Sequence, residues 1–187
     1  MSIHPFRIIP APRPRGRRRQ SGVGLVEALV ALVITSFALL GFAGLQMASL
    51  RYQKVAQFRS LASQYSADIA DRMRANLVGS KAGNYASDTG SYGSNTAPGK
   101  TDCTNGCSAA DVAALDIYRW REALARVLTG GWGEVSGDIT DGFTVTVYFK
   151  EPNKPAEATD AVDPNCRADA LGNADKDVRC FRTVFLP

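Results

Sequence analysis

From Ala28 to Leu45 the chain runs 18 residues without a charge, interrupted only by the hydroxyls of Thr35 and Ser36. As a helix rising about 1.5 Å per residue, this run covers roughly 27 Å, close to the hydrocarbon core of a bilayer. Three consecutive arginines, Arg17, Arg18 and Arg19, precede it, and Glu27 is the one charge between Val23 and Leu50. Clustered arginines stay on the cytoplasmic side, which sends the C-terminal part across the membrane. A carboxylate in lipid costs on the order of a few kcal/mol even on mild insertion scales. Glu27 therefore needs a partner.

The basic character of the chain sits in this leader. Of 22 lysines and arginines, six fall within residues 1–22, which hold no acid. Without them, 16 basic residues face 18 acidic ones, so nothing beyond the leader suggests nucleic-acid binding. The single histidine, His4, also lies there. If the leader is removed, Ser-His-Asp, Cys-His and histidine–metal chemistry go with it.

Three fates fit such a segment. A cleaved secretory signal has the basic start, and small residues near Ala43 and Ala48 could be cut. The apolar region is long for a signal, however, and contains an acid. A plain uncut anchor would leave Glu27 near the interface. Cleavage between Gly22 and Val23 would instead keep the apolar helix and create an α-amine four residues before Glu27. That amine supplies the positive charge a carboxylate in an apolar setting requires.

The stretch Gly22-Val23-Gly24-Leu25-Val26-Glu27 resembles the type IV prepilin signal, with valine after the cut where phenylalanine is usual. The resemblance implies that prepilin peptidase cuts after Gly22 and N-methylates Val23. It also implies that Glu27 pairs with a terminal amine during filament assembly. Ser66 to Asn76 and Leu39 to Gln46 look like segments of the PilV minor pilins, and Asp116 to Trp120 extends the likeness. Type II secretion pseudopilins share the same N-terminal helix. A signal-anchored periplasmic binding or enzymatic domain is the alternative from another class. The partners implied are prepilin peptidase, minor and major pilins, a pilus-tip adhesin and the inner membrane. The implied location is the inner membrane with a periplasmic domain, then the pilus. No enzymatic activity is expected.

Beyond Leu50 a helical period persists. Tyr52, Val55, Phe58, Ala62, Tyr65, Ile69, Met73 and Leu77 recur every three or four residues, and no proline occurs from Ala28 to Leu77. The pattern predicts one helix from about Gly24 to Asn76, apolar all round at first and amphipathic later. A coiled-coil dimer is the other reading of the stripe. Asp68 and Arg72 form a supporting i, i+4 pair. Gly41 and Gly44 would allow close helix packing or local melting, although glycine is simply frequent in membrane helices.

Gly79 to Gly106 reads as a long surface loop. Ser108 and Asp111 then open a second helix, near residues 109–128, with Ala113, Ile117, Trp120, Leu124 and Val127 as its buried stripe. Strands follow at about Trp132 to Ile139 and Phe143 to Lys150, joined by a turn at Asp141-Gly142, and a third runs from Val178 to Phe185. In the second, Phe143, Val145, Val147 and Phe149 alternate with Thr144, Thr146 and Tyr148, as in a strand buried on one face. Trp120 and Trp132 read as core. Glu151 to Cys166 is a Pro/Asp/Ala-rich loop.

The expected class is thus α+β and pilin-like: a long N-terminal helix on a small antiparallel sheet. The expected organisation is a leader over 1–22, a membrane and assembly segment over 23–50 and a periplasmic domain over 51–187. Four cysteines allow three pairings, of which Cys103–Cys107 with Cys166–Cys180 is favoured in an exported chain. A zinc site would use all four thiolates, but paired C-x-x-C spacings are absent. Asn173, Asp175 and Asp177 resemble a calcium loop without its downstream glutamate; a solvated acidic loop is the alternative. No cofactor or metal is expected.

Overall fold

The computed structural model describes residues 24–99, 103, 106–151, 163–172 and 177–187. The order of elements is α1 (Leu25–Ala75), α2 (Leu77–Lys81), α3 (Ala109–Val127), β1 (Trp132–Asp138), β2 (Gly142–Lys150), α4 (Ala168–Leu171) and β3 (Val178–Phe185). The chain divides into two compact units, Met1–Leu45 and Gln46–Pro187.

In the second unit, three antiparallel strands form a sheet in the order β1-β2-β3. Val135 pairs with Val145, and Val145 with Thr183. The β1–β2 hairpin turns at Gly142, whose φ of 93° suits glycine far better than any residue with a side chain. One face of the sheet buries Val135, Phe143, Val145, Val147 and Phe149 against Ala62, Ile69 and Met73 of α1 and Ala113, Ile117, Trp120 and Leu124 of α3. Burying each larger apolar side chain contributes about 1.5–3 kcal/mol. The Trp120 indole donates to the Tyr65 carbonyl at 2.8 Å, fixing α3 against α1.

The amphipathic stripe of α1 reaches less far than its period suggests. Tyr52 is 78% exposed and Leu77 40% exposed, because the buried stripe begins around Phe58 and α1 ends at Ala75. Asn76 leaves the helical conformation and its carboxamide oxygen accepts from the Gly79 amide, capping α2. Val127, at the last turn of α3, is also exposed, since the chain turns from the core stripe into the extended Leu128. The Ser108–Asp111 capping box that opens α3 is complete.

One expectation needs correction. The strand expected to bury one face, β2, buries both: Thr146 and Tyr148 are as inaccessible as Val145 and Val147. The second face is closed by Trp132, Cys166, Ala170, Leu171, Val178 and Cys180, with Tyr92 against them. The stretch from Gly79 to Gly106 is, over its described residues, the mostly exposed loop expected, but it starts in a helix and is pinned to the sheet. It begins inside α2, buries Tyr85 completely and sends the Tyr92 amide to the Ala170 carbonyl at 2.9 Å. Of the glycines in it, Gly90 comes close to the sheet: a Cβ there would lie 3.4 Å from the Trp132 ring.

Candidate functional site

Glu27 lies in the first turn of α1, where the unpaired amides of a helix start favour a carboxylate. The Ala28 amide donates back to the Gly24 carbonyl at 3.2 Å, so helical bonding begins at once. Gly22 and Val23, the expected cleavage and methylation positions, lie outside the described residues.

Every residue from Leu25 to Leu50 is exposed, including Phe37, Leu40 and Leu45, each at least 70% exposed. An 18-residue window of α1 has a mean hydropathy of 2.4, long and apolar enough by length and composition to cross a membrane. The two hydroxyls within the run are satisfied inside the helix. Thr35 Oγ1 donates to the Ala31 carbonyl at 2.6 Å and Ser36 Oγ to the Leu32 carbonyl at 2.7 Å. In lipid no water is available, so such internal partners are what a spanning helix needs. A side chain added at Gly41 or Gly44 would meet nothing within 4 Å. No contact within the described chain therefore requires glycine at either position.

Away from this segment the cysteines form two disulfides, Cys103–Cys107 and Cys166–Cys180. The second lies within the apolar cluster on the far face of the sheet. Among the described residues no group of three or more His, Cys, Asp or Glu side chains could hold a metal ion. Of the acidic loop, Asn173 and Asp175 lie outside the described residues.

Two polar clusters escape sequence reasoning because their members are distant in the chain. Arg72 bridges Asp68 at 3.1 Å and Asp116 of α3 at 3.3 Å. Burial opposes the Arg72 charge, but the two carboxylates prevail and raise its pKa. The Tyr85 hydroxyl donates to Asp116 at 2.7 Å, and burial followed by that bond raises the phenol's pKa. On the other face, Glu134 accepts from Tyr148 at 2.6 Å and from Arg167 at 2.7 Å. Arg121 stacks on Trp132, 4.6 Å from the ring centroid, and donates to the Gly133 and Ser87 carbonyls. Burial lowers its pKa to about 10, the field of Glu134 partly opposing. Each of these side chains joins separate segments of the fold, which is a structural task.

Residues 17–43 match the family described as the prokaryotic N-terminal methylation motif. The matched stretch contains Gly22, Val23 and Glu27. No curated protein and no solved structure matches the chain. The chain thus carries a prepilin-type N-terminal motif, which implies processing by prepilin peptidase and association with pilins in a membrane-anchored assembly. Motif and apolar helix together fit a single-pass inner-membrane anchor.

Proposed function

We propose that the chain is a minor pilin of a type IV pilus, of the PilV kind, and acts as an assembly subunit rather than an enzyme. The observation that carries this reading is a methylation motif over residues 17–43 whose carboxylate, Glu27, opens a helix with a fully exposed apolar first half. Cut after Gly22, the subunit waits in the inner membrane with its second unit in the periplasm. The methylated amine of Val23 on one subunit pairs with Glu27 on a neighbour, and apolar helix packing then holds the subunit in the fibre. In the pilus it sits near the tip with other minor pilins, primes assembly and displays an adhesin.

Mass spectrometry of the mature N-terminus tests the processing. Methyl-valine at Val23 supports it; a terminus near Gly44 or an intact Met1 removes it. Glu27→Ala should be processed normally but enter pili poorly, and normal piliation in that variant would eliminate the pairing. A deletion strain that keeps its pili and loses protein secretion would move the chain to the type II secretion pseudopilins.

A further inference from the structure

Each outer strand of the sheet has one side that no strand pairs among the described residues, and the molecule treats the two differently. On β1, the outward Gly133 carbonyl accepts from Arg121 at 2.7 Å. The Val135 carbonyl accepts from the Ser87 amide, and the Val135 amide donates to Ser87 Oγ. On β3, the Cys180 amide donates outward to Asp163 Oδ2 at 3.2 Å. Alternation along an antiparallel strand then turns the amides and carbonyls of Arg182 and Val184 outward as well. Among the described residues no hydrogen bond reaches either pair.

Beside this edge, unpaired among the described residues, runs a trough. Its first part, about 300 Å³, is lined by Val55 and Arg59 of α1 together with Glu151, Asp163, Arg179 and Arg182. Its second, about 220 Å³, lies between Ser63, Ala67, Ala70 and Arg74 of α1 and Thr183 and Phe185 of β3. The α1 positions recur every three or four residues, so they form one stripe along the helix. Small residues in that stripe leave room for incoming side chains. On the opposite side of β3, Val184 is 68% exposed and offers a cross-strand apolar partner.

We propose that the edge of β3 at Arg182–Val184 receives an extended, carboxylate-bearing segment of another protein by strand addition. Backbone pairing to Arg182 and Val184 supplies the hydrogen bonds, and the trough beside α1 takes every second side chain. Charge selects the occupant. Among the described residues the nearby acids are already engaged: Glu151 with Arg179 at 3.1 Å, Asp71 with Arg74 at 2.8 Å, and Asp163 with the Cys180 and Asn165 amides. Arg59 and Arg182 have no ionic partner among the described residues. A second copy of the chain paired antiparallel with Arg182 opposite Arg182 would set like charges across the strands, which is destabilising. An acidic strand from a different protein meets no such penalty. This assignment does not depend on the filament reading above, since it rests only on the second unit of the chain.

The test uses the ¹⁵N-labelled full-length chain in detergent micelles and two eight-residue probes, one alternating valine with glutamate and one alternating valine with lysine. The expected result is that the glutamate peptide slows amide exchange at Arg182 and Val184 by on the order of tenfold or more, while the lysine peptide does not. Arg182→Glu should reverse the preference. Val184→Pro removes an outward amide from an edge strand, where proline is tolerated. It should abolish binding while the exchange protection of β2 stays intact. Unchanged exchange at both amides with either peptide would overturn the proposal, as would equal binding of the lysine peptide. Protection that rises with protein concentration alone would assign the edge to a second copy and overturn it too.

Discussion

Arg167 forks onto Glu134: its Nη2 lies 2.7 Å and its Nε 3.0 Å from Oε2 of the carboxylate. The two sides of the pair differ in burial. The Glu134 side chain is 4% exposed and that of Arg167 30% exposed. Removing the arginine strands a carboxylate in the interior, whereas removing the acid leaves a guanidinium that can reach water. Arg167→Ala is therefore expected to destabilise by about 3 kcal/mol, and Glu134→Gln, which keeps an acceptor for Tyr148, by less. Denaturant midpoints of the two variants check the order; the reverse order would show that the arginine, not the acid, bears the desolvation.

The same carboxylate holds the Tyr148 hydroxyl, as Asp116 holds that of Tyr85. Burial first, and then these bonds, raise both phenol pKa values above the ordinary range. An unfolded tyrosine loses its proton near pH 10. Above that pH the folded state binds more protons than the unfolded one, so stability must fall as pH rises. Tyr85→Phe and Tyr148→Phe should each cost about 1 kcal/mol at neutral pH yet flatten the alkaline decline. Equal alkaline slopes in wild type and both variants would refute the linkage.

These clusters also mark where sequence reading stops. The helix bounds, the capping box of α3 and all three strands follow from local signals: hydrophobic period, Ser108 with Asp111, and Gly142 after Asp141. Glu134, Arg167, Tyr85 and Asp116 look locally like ordinary surface or loop residues. Their partners lie 31 and 33 positions away, and only the register of β1 on β2 brings Glu134 beneath Tyr148. The second covered face of β2 was hidden for the same reason. Its lid comes from short segments around Tyr92 and Ala170, which carry no periodic signal. Glu27 stands out in the sequence because lipid makes a lone charge costly whatever the tertiary context.

At the hairpin, the Thr140 and Asp141 amides donate to the Asp138 carboxylate at 2.7 and 2.8 Å. The amides of Asp141 and then Thr140 lower its pKa. Its contribution is therefore present above the unfolded aspartate value of about 4 and fades as pH falls through the depressed native value. The stability gap between wild type and Asp138→Ala should be open at pH 6 and close in acid. A gap independent of pH would mean that the carboxylate charge plays no part in the turn.

Gly133 lies under the Trp120 ring. A methyl group there would collide with the indole's six-membered ring and with Leu124 Cδ1. Trp120 is fully buried and tied to the Tyr65 carbonyl, so it cannot yield without breaking that bond. Gly133→Ala should cost about 1–3 kcal/mol, read as a lowered thermal midpoint. Pairing it with Trp120→Phe should recover part of the loss by removing the outer edge of the ring. Failure of the second substitution to relieve the first would place the strain in the backbone instead.

The two disulfides differ in what they close. Cys103 and Cys107 are four positions apart, whereas Cys166 and Cys180 are 14 apart and join the lid over β2 to strand β3. Loop-closure entropy puts the larger ring at about 3 kcal/mol and the smaller at about 2. Cys166 and Cys180 are both buried in the cluster with Trp132 and Tyr148, so replacing them by alanine also loosens packing there. Cys103→Ala/Cys107→Ala is expected to leave the near-ultraviolet dichroism of the buried aromatics unchanged. Cys166→Ala/Cys180→Ala is expected to weaken it and to lower the denaturant midpoint further. Equal loss from both double variants would contradict the lid's dependence on Cys166–Cys180.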